Sequence, residues 1–266
     1  MLNKMARLIG LLILFLGSPV IADVLVLTHG YLGSGHSWRS SGVGIALQQQ
    51  GWQDAGHAGL HYGRLYLNAP VVAGEKGVFY TVELPSEAPI LLQSDLLATV
   101  VAGLKQRHPN EAVVLVGHSA GGVAARAMMI RYPHHNIKAL ITIASPHLGT
   151  DKAELGLSVA DSPASWVAPF FGGQTINRSQ RLYADLVRER PHTFLFWLNR
   201  RVHPEATYIS FVREPAIAND NIVPAYSQHL EAVFALRNKA RSIPTVGEHG
   251  LLYIDGQALA QVLNSL

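Results

Sequence analysis

The stretch from residue 112 to residue 132 constrains the fold more than any other part of the sequence. Residues 112–116 (AVVLV) form a continuous apolar run of strand length, which is typical of a parallel strand buried on both faces. A glycine-rich turn follows at 117–122, and residues 123–132 then have the composition of a helix that Pro133 ends. A buried strand, a tight turn and a helix in direct succession predict a parallel α/β architecture.

The rest of the chain repeats this alternation. We predict strands at 23–28, 78–84, 139–144, 207–212 and near 242–243, and helices at 38–50, from Ser86 as N-cap to about His108, and at 257–266. Residues 55–77 are rich in Gly, Ala and His and have no clear period, so we expect a loop or an insertion there. Strands that alternate with helices imply right-handed βαβ units, and hence a mostly parallel central sheet flanked by helices.

Residues 151–203 depart from the alternation. They carry aromatic residues with Gly and Pro between them: Trp166, Phe170, Phe171, Phe194, Phe196 and Trp197. We expect a helical cap or lid insertion between core strands. Its rings either line an apolar substrate pocket or pack the cap itself.

Composition excludes several classes of protein. Hydrophobic residues make up 48% of the 266 residues, enough for the core of one large domain, and charged residues make up only 15%. The net charge is +3 and the basic residues form no long run, so no nucleic-acid surface is indicated. The chain has no cysteine, which excludes a thiol nucleophile, disulfide bonds and cysteine-ligated metals.

The first 22 residues have the pattern of a secretory signal peptide. Lys4 and Arg7 precede an apolar run at 8–17, and this run is shorter than the roughly 20 residues of an ordinary membrane span. Ala22 offers a small residue for cleavage. We predict export to the periplasm or the cell exterior with a mature domain at 23–266, or a membrane-anchored protein if the segment stays uncleaved.

A motif of the pattern G-x-S-x-G, GHSAG at 117–121, lies between the predicted buried strand and its helix. In that context Ser119 stands on a sharp turn that lifts its hydroxyl above the sheet, and the two glycines avoid collisions with the neighbouring strand and helix. The helix start supplies N–H groups for a developing oxyanion. We therefore predict Ser119 as a nucleophile and the backbone N–H of Ala120 as an oxyanion donor.

A second glycine-rich turn, HGYLG at 29–33, follows the first predicted strand. The loop after an early strand is where a serine site of this kind places its other oxyanion donor. We assign that donor to the backbone N–H of Tyr31.

A nucleophilic serine needs a base, and the base needs an orienting acid, in the chain order serine, acid, histidine. His249 lies in a glycine-bounded loop after the last predicted strand, and we favour it over the other downstream choices, His203 and His229. Asp220 lies in a loop after the strand at 207–212, where such folds collect catalytic groups.

Two other acids and three other histidines have weaker cases. Asp255 follows His249 and breaks the order, and Glu248 is adjacent to it. Three histidines near the same end of the sheet are interpreted as packing or hydrogen-bonding residues: His29, His118 and His147. We expect no metal site.

Taken together, the motifs resemble those of the bacterial triacylglycerol lipases and the related lipase/esterase branch of the α/β hydrolases. The segment ASPHLGT at 144–150 carries the resemblance most specifically, alongside the two glycine-rich turns, the Asp220 loop and His249. The resemblance implies an α/β-hydrolase fold, a triad of Ser119, Asp220 and His249, and a fatty-acid ester as substrate. Two positions depart from the family: Asn221 replaces its usual glycine, and Leu251 replaces the aspartate of its calcium site, so calcium is not carried over.

We therefore expect a serine hydrolase that cleaves carboxylic esters through an acyl-enzyme without a cofactor. Its partners would be a small-molecule or lipid ester and, transiently, a lipid interface. A membrane-associated lipid acyltransferase or phospholipase would use the same triad. A non-catalytic binding protein on a hydrolase scaffold is the other alternative. The sequence predicts no oligomeric state.

Overall fold

A computed structural model describes residues 23–69, 74–160, 174–214 and 220–266 of the chain. The predicted signal peptide and residues 161–173 of the predicted insertion lie outside these ranges. The strands of the described part are β1 (Asp23–Thr28), β2 (Trp52–His61), β3 (Arg64–Leu67), β4 (Gly77–Val82), β5 (Ala112–His118), β6 (Ala139–Ile143), β7 (Thr207–Arg213) and β8 (Ala240–Thr245).

These strands form one eight-stranded sheet in the order β3-β2-β4-β1-β5-β6-β7-β8. Neighbouring strands pair in parallel, except that β2 and β3 form an antiparallel hairpin at one edge. The carboxyl ends of β1, β5, β7 and β8 therefore open onto the same edge of the sheet. The predicted mostly parallel α/β sheet is confirmed.

Helices cover both faces of the sheet. They are α1 (Ser37–Ser40), α2 (Val43–Gln49), α3 (Ile90–Arg107), α4 (Ala120–Arg131), α5 (Asp151–Ala160), α6 (Gln174–Arg178), α7 (Gln180–Leu186), α8 (Phe194–Leu198), α9 (Ala225–Gln228) and α10 (Tyr253–Leu263). One apolar layer joins the sheet to α3 and α4, and the other joins it to α2 and α10.

The central strands show why their sequences are continuously apolar. In β1, Val24 and Val26 belong to the layer beneath α3 and α4, whereas Leu25 and Leu27 belong to the layer beneath α2 and α10. All four side chains are fully buried. Because both faces of the sheet are covered, no polar alternation is left in the strand.

The described part of the stretch 151–203 is helical, as predicted, and lies between β6 and β7. Residues of α5, α7 and α8 share an apolar cluster with the N-terminal half of α4: Ala153, Leu182, Leu186, Leu195 and Leu198 against Ala120, Val123, Ala124 and Ala127. This layer therefore lies beside the turn that carries Ser119. No helix in the described ranges has the length and apolar character needed to span a bilayer.

The prediction of a loop or insertion at 55–77 is wrong, because β2 and β3 occupy much of it. The reason is a register shift in the pairing of β2 with β4, between Asp54 and His57, where Gly56 has a φ of 93°. Such an irregularity moves the buried side chains out of a period of two. Ala55 and Ala58 point inwards three residues apart, and alanines give only a weak apolar pattern.

Several helix boundaries also differ from the prediction; the closing helix, for example, spans Tyr253–Leu263 and not 257–266. The single helix expected at 38–50 is divided into α1 and α2 by Gly42, whose φ is 83° and which packs against Tyr253. Ser86 does not cap α3: the helix begins at Ile90, and its amide donates a hydrogen bond to Oδ2 of Asp185 in α7 at 2.8 Å. A carboxylate from a distant helix thus replaces the local cap, which no local pattern reveals.

Candidate active site

Ser119 lies on the turn between β5 and α4, with φ 52° and ψ −131°. Its amide donates to the carbonyl of Ile143 at 2.9 Å. A positive φ in a non-glycine residue costs about 1–3 kcal/mol and persists only where the surroundings enforce it. The side chain is 7% exposed and is presented at the carboxyl edge of the sheet.

Glycines on either side of the serine are required by close backbone packing. A Cβ at Gly117 would lie 2.3 Å from Cα of Gly122, and one at Gly121 would lie 2.2 Å from the carbonyl oxygen of His29. Both distances are far below any normal contact. The geometry therefore agrees with the prediction that glycines at these two positions avoid collisions with neighbouring backbone.

Ser119, His249 and Asp220 form one hydrogen-bonded line. The Oγ of Ser119 lies 2.9 Å from Nε2 of His249, and Nδ1 of His249 lies 2.8 Å from Oδ2 of Asp220. The side chain of His249 is 16% exposed and that of Asp220 is 1% exposed. Because a carboxylate accepts, Nδ1 carries the proton and Nε2 is free to accept the proton of the serine.

The carboxylate of Asp220 is held on both oxygens. Oδ1 accepts from the amides of Ile222 and Val223 at 2.8 and 2.9 Å, and Oδ2 accepts from Nε2 of Gln228 at 3.1 Å. Burial raises the pKa of Asp220, but its hydrogen bond and charge interaction with His249 and the two amides outweigh burial and lower the pKa below the ordinary value. Asp220 is therefore ionised at neutral pH.

The predicted oxyanion loop lies against the serine. A Cβ at Gly30 would be 2.6 Å from Cβ of Ser119 and 3.1 Å from its Oγ, so the backbone of the loop approaches as closely as a glycine allows. The amides of Tyr31 and Ala120, the two predicted donors, make no hydrogen bond to any group in the described residues. The Tyr31 hydroxyl shares a hydrogen bond of 2.5 Å with that of Tyr183 in α7.

The three histidines interpreted as packing residues each make hydrogen bonds near the site. Nε2 of His118 donates to the carbonyl of His249 at 2.8 Å, and burial together with the charge of His249 lowers the pKa of His118 to about 3. His29 donates from Nδ1 to the carbonyl of Gly30 at 2.9 Å and accepts the amide of Leu84 at 3.1 Å.

His147 lies deeper, with Nε2 3.0 Å from Oγ1 of Thr142. Burial lowers its pKa well below the ordinary value. In the described ranges no group of three or more His, Asp or Glu side chains is arranged to hold a metal ion.

The alternative bases and acids lie elsewhere. Nδ1 of His203 donates to the carbonyl of Arg201 at 2.8 Å, and His229 pairs with Oγ of Ser242 at 2.9 Å. Asp255 is buried in an ion pair with Arg213, with Nη1 2.6 Å from Oδ1, and Glu248 is exposed.

Sequence reasoning missed two residues that support the site, Gln228 and Arg213. Gln228 is buried in α9, and its amide also donates to the carbonyl of Val223 at 2.7 Å. Nothing in its local sequence marks it. Arg213 does leave a signal, since it is the one charged residue of the strand TYISFVR and lies at its end.

Comparison with known proteins supports the fold and identifies the family. The sequence matches the model of the PGAP1-like alpha/beta domain over residues 21–154 and that of palmitoyl protein thioesterase over residues 88–229. Each match covers about half of the chain, and both include Ser119. Asp220 lies in the second match, and His249 lies beyond both.

One curated relative, GPI inositol-deacylase A of Yarrowia lipolytica, is 31% identical over 96 aligned residues, and the match covers 30% of this chain and 9% of the relative. The similarity thus spans less than a tenth of that protein.

Solved structures are similar over nearly the whole chain. A gene product of Listeria innocua matches with a TM-score of 0.59 and 16% identity over 92% of each chain. The mature lipase BlEst2 of Bacillus licheniformis matches with a TM-score of 0.56 and 16% identity over 92% of this chain and 91% of the other. An extracellular alpha/beta-hydrolase of a Paenibacillus species matches with a TM-score of 0.50 and 13% identity over 91% of this chain and 98% of the other. Identities this low show a shared fold alone. The two family models, each matched over about half of the chain, show that it belongs to the α/β-hydrolase superfamily, with similarity to both the PGAP1-like alpha/beta and the palmitoyl protein thioesterase families.

Proposed function

We propose that this protein is a serine hydrolase that cleaves carboxylic esters through an acyl-enzyme. The observation that carries the proposal is the line from Ser119 Oγ through His249 to Asp220, with hydrogen bonds of 2.9 and 2.8 Å. A structural serine would not need a base aimed at its hydroxyl, an acid behind the base and a strained backbone beneath it. The hydrolase-type fold of the family agrees with this chemistry.

The reaction follows from the protonation states of the three side chains. Oγ of Ser119 attacks the ester carbonyl carbon while Nε2 of His249 takes the hydroxyl proton, and the amides of Tyr31 and Ala120 hold the carbonyl oxygen as it becomes negative. The imidazolium is stabilised by Asp220 and gives its proton to the departing alcohol. Water then attacks the acyl-enzyme by the same route and releases the acid. Each oxyanion donor contributes about 2.7–4 kcal/mol in such reactions.

The acyl group of the substrate is proposed to be that of a fatty acid. One family match and the curated relative support this class, since the first is named for a palmitoyl protein thioesterase and the second for a GPI inositol-deacylase. The helices α5, α7 and α8 form an apolar cluster with the start of α4, beside the serine. An apolar surface at this place could bury the acyl chain of the substrate. Thioesters of the same acids are the second candidate substrate, because the palmitoyl thioesterase match includes both Ser119 and Asp220.

The test uses a fluorophosphonate probe and two serine variants. Wild-type protein is expected to react once with the probe, at Ser119, and to hydrolyse p-nitrophenyl acyl esters. Ser119→Ala should lose both properties. Ser40→Ala is the matched control because Ser40 is exposed, and it should behave like the wild type. Turnover that survives in Ser119→Ala would overturn the proposal.

Product analysis separates the alternatives that use the same triad. With a long-chain alcohol present, an ester hydrolase still yields mainly the free acid, whereas an acyltransferase yields the new ester. A phospholipid substrate tests the phospholipase alternative in the same way. A binding protein on this scaffold would give no label at Ser119 and no product.

Export is also a proposal, because residues 1–22 lie outside the described ranges. The charged start and the apolar run at 8–17 support it. Mass spectrometry of protein recovered from an expression host should find a mature N-terminus at Asp23, and recovery only of the uncleaved chain in the membrane fraction would support the anchored alternative.

A further inference from the structure

The most deeply buried ion pair in the described chain lies directly behind the histidine loop. Arg213 ends β7, Asp255 lies in the first turn of α10, and both side chains are 0% exposed. The pair is bidentate, with Nη1 2.6 Å from Oδ1 and Nη2 2.7 Å from Oδ2. A guanidinium held in this way has a fixed plane, so its remaining N–H groups point in fixed directions.

Two of those remaining donors bind the backbone on both sides of His249. Nη1 donates to the carbonyl of Val246 at 2.9 Å, and Nη2 donates to the carbonyl of Gly250 at 2.9 Å. The loop between these two carbonyls carries the imidazole. Asp255 adds a third anchor, because its Oδ2 accepts the amide of Leu252 at 2.7 Å.

The backbone of Arg213 reaches the acid as well. Its amide donates to Oε1 of Gln228 at 2.8 Å, and Nε2 of the same glutamine donates to Oδ2 of Asp220 at 3.1 Å. One residue therefore fixes the loop of His249 through its side chain and the carboxylate of Asp220 through a single intervening amide.

We propose that Arg213 is a positioning residue that holds the imidazole of His249 in line between Ser119 and Asp220. This inference rests on the proposed function. A buried ion pair can often be exchanged for apolar residues without loss of stability, so stability alone does not account for it. What apolar residues cannot supply is the pair of donors aimed at the carbonyls of Val246 and Gly250, and catalytic groups lose rate when they are displaced by fractions of an ångström.

Arg213→Lys is the first test. Lysine keeps the positive charge beside Asp255, but its compact ammonium cannot serve two carboxylate oxygens and two separated carbonyls together. We expect kcat for a p-nitrophenyl ester to fall by about 10- to 100-fold with KM nearly unchanged, as a misplaced catalytic group produces. The rate of fluorophosphonate labelling at Ser119 should fall by the same factor.

The double variant Arg213→Met/Asp255→Leu is the second test, for the case that the lysine variant does not fold. It removes both charges and fills their space with apolar side chains, so the variant is expected to fold. Its kcat should fall by the same factor as that of Arg213→Lys. Val113→Ala is the control for general destabilisation, because Val113 is fully buried at the far end of β5 from Ser119. It should lower the midpoint of thermal unfolding and leave kcat of the folded protein unchanged.

The possible results are distinguishable. Wild-type kcat in a folded Arg213→Lys or in the double variant overturns the positioning role. A loss of activity that disappears at temperatures where the variant is folded, as expected of Val113→Ala, overturns it as well. Wild-type protein that is not labelled at Ser119 overturns the proposed function instead, and the inference with it.

Discussion

His118 donates a hydrogen bond from Nε2 to the backbone carbonyl of His249, at 2.8 Å, although His118 ends β5 and His249 lies in the loop after β8. Since a carbonyl only accepts, this bond requires the proton on Nε2. The low pKa of His118, about 3, which burial chiefly causes, keeps the ring neutral at physiological pH. His118 thus supports the backbone of His249 without adding a charge beside its imidazole.

This relationship predicts a pH dependence of stability. The pKa of His118 is lower in the folded chain than the ordinary value of 6.5, so the unfolded state takes up a proton first as the pH falls. Stability should be lost from about pH 6.5 downwards, towards the folded pKa of about 3. In urea unfolding, the free energy of unfolding should fall less between neutral and acidic pH for His118→Gln than for the wild type. His36→Gln, at an exposed histidine, is the control, and an equal loss in both variants would contradict the prediction.

Ser119→Gly should stabilise the protein while inactivating it. A glycine adopts the φ of 52° without the strain of a side chain, which favours the folded state. Glycine also makes the unfolded chain more flexible, so the net gain in the free energy of unfolding should be about 1 kcal/mol. For a domain of this size that is about 2–4 °C in Tm. Ser119→Ala is the comparison: it also lacks the hydroxyl but keeps the strain, so calorimetry should show no such rise.

Asp220→Asn should reduce kcat by about 10⁴-fold, because an amide favours the wrong tautomer of the imidazole. KM should change little. The variant should also lose stability at neutral pH relative to acid, since the lowered pKa of Asp220 contributes stability that is present at neutral pH and is lost as the pH falls through the folded value. Steady-state kinetics and unfolding at two pH values measure both effects; an Asn variant with wild-type kcat would exclude Asp220 as the acid.

Gly30→Ala should damage activity more than a glycine substitution elsewhere in the sheet. The new Cβ would stand 2.6 Å from Cβ of Ser119, so the loop that carries the Tyr31 amide must move away. A displacement of about 1 Å costs on the order of 100-fold in kcat. Gly59→Ala is the control, because its Cβ would meet only Cβ of Glu83 at 4.0 Å, and it should keep normal kinetics.

Asp185→Asn should stabilise the contact between α7 and α3 at neutral and alkaline pH. Burial raises the pKa of Asp185 to about 6, so the folded state disfavours its charge, and stability is lost as the pH rises from the unfolded value through about 6. Asparagine keeps an oxygen that accepts the amide of Ile90 and carries no charge. Tm should rise at about pH 8 and stay unchanged at about pH 4. An equal rise in Tm at both pH values would contradict the raised pKa of Asp185.

The local patterns of the sequence predict the parallel strands well, because a strand buried on both faces leaves a continuous apolar run, as in β1 and β5. The meeting of Ser119, Asp220 and His249 follows from chain order and from the rule that parallel strands end on one edge. The hairpin of β2 and β3 escapes prediction because a register shift and small residues hide its alternation.

Long-range polar contacts escape prediction for another reason. The Asp185 cap on α3, the amide of Gln228 on Asp220 and the Arg213–Asp255 pair each join residues that are distant in sequence or have no local pattern. Only the tertiary fold brings such donors and acceptors together. A lone charged residue closing an otherwise uncharged strand, as Arg213 does, is the one sign that a sequence offers of such a contact.

The placement of the three aligned side chains after β5, β7 and β8 has a consequence for the timing of activity. Because β8 and its histidine loop are made late during N-to-C synthesis, a nascent chain contains Ser119 well before it contains a base. Under the proposed function, a partly synthesised chain therefore lacks hydrolytic activity. Activity then requires β8 to dock onto β7, because this pairing brings the loop of His249 to Ser119.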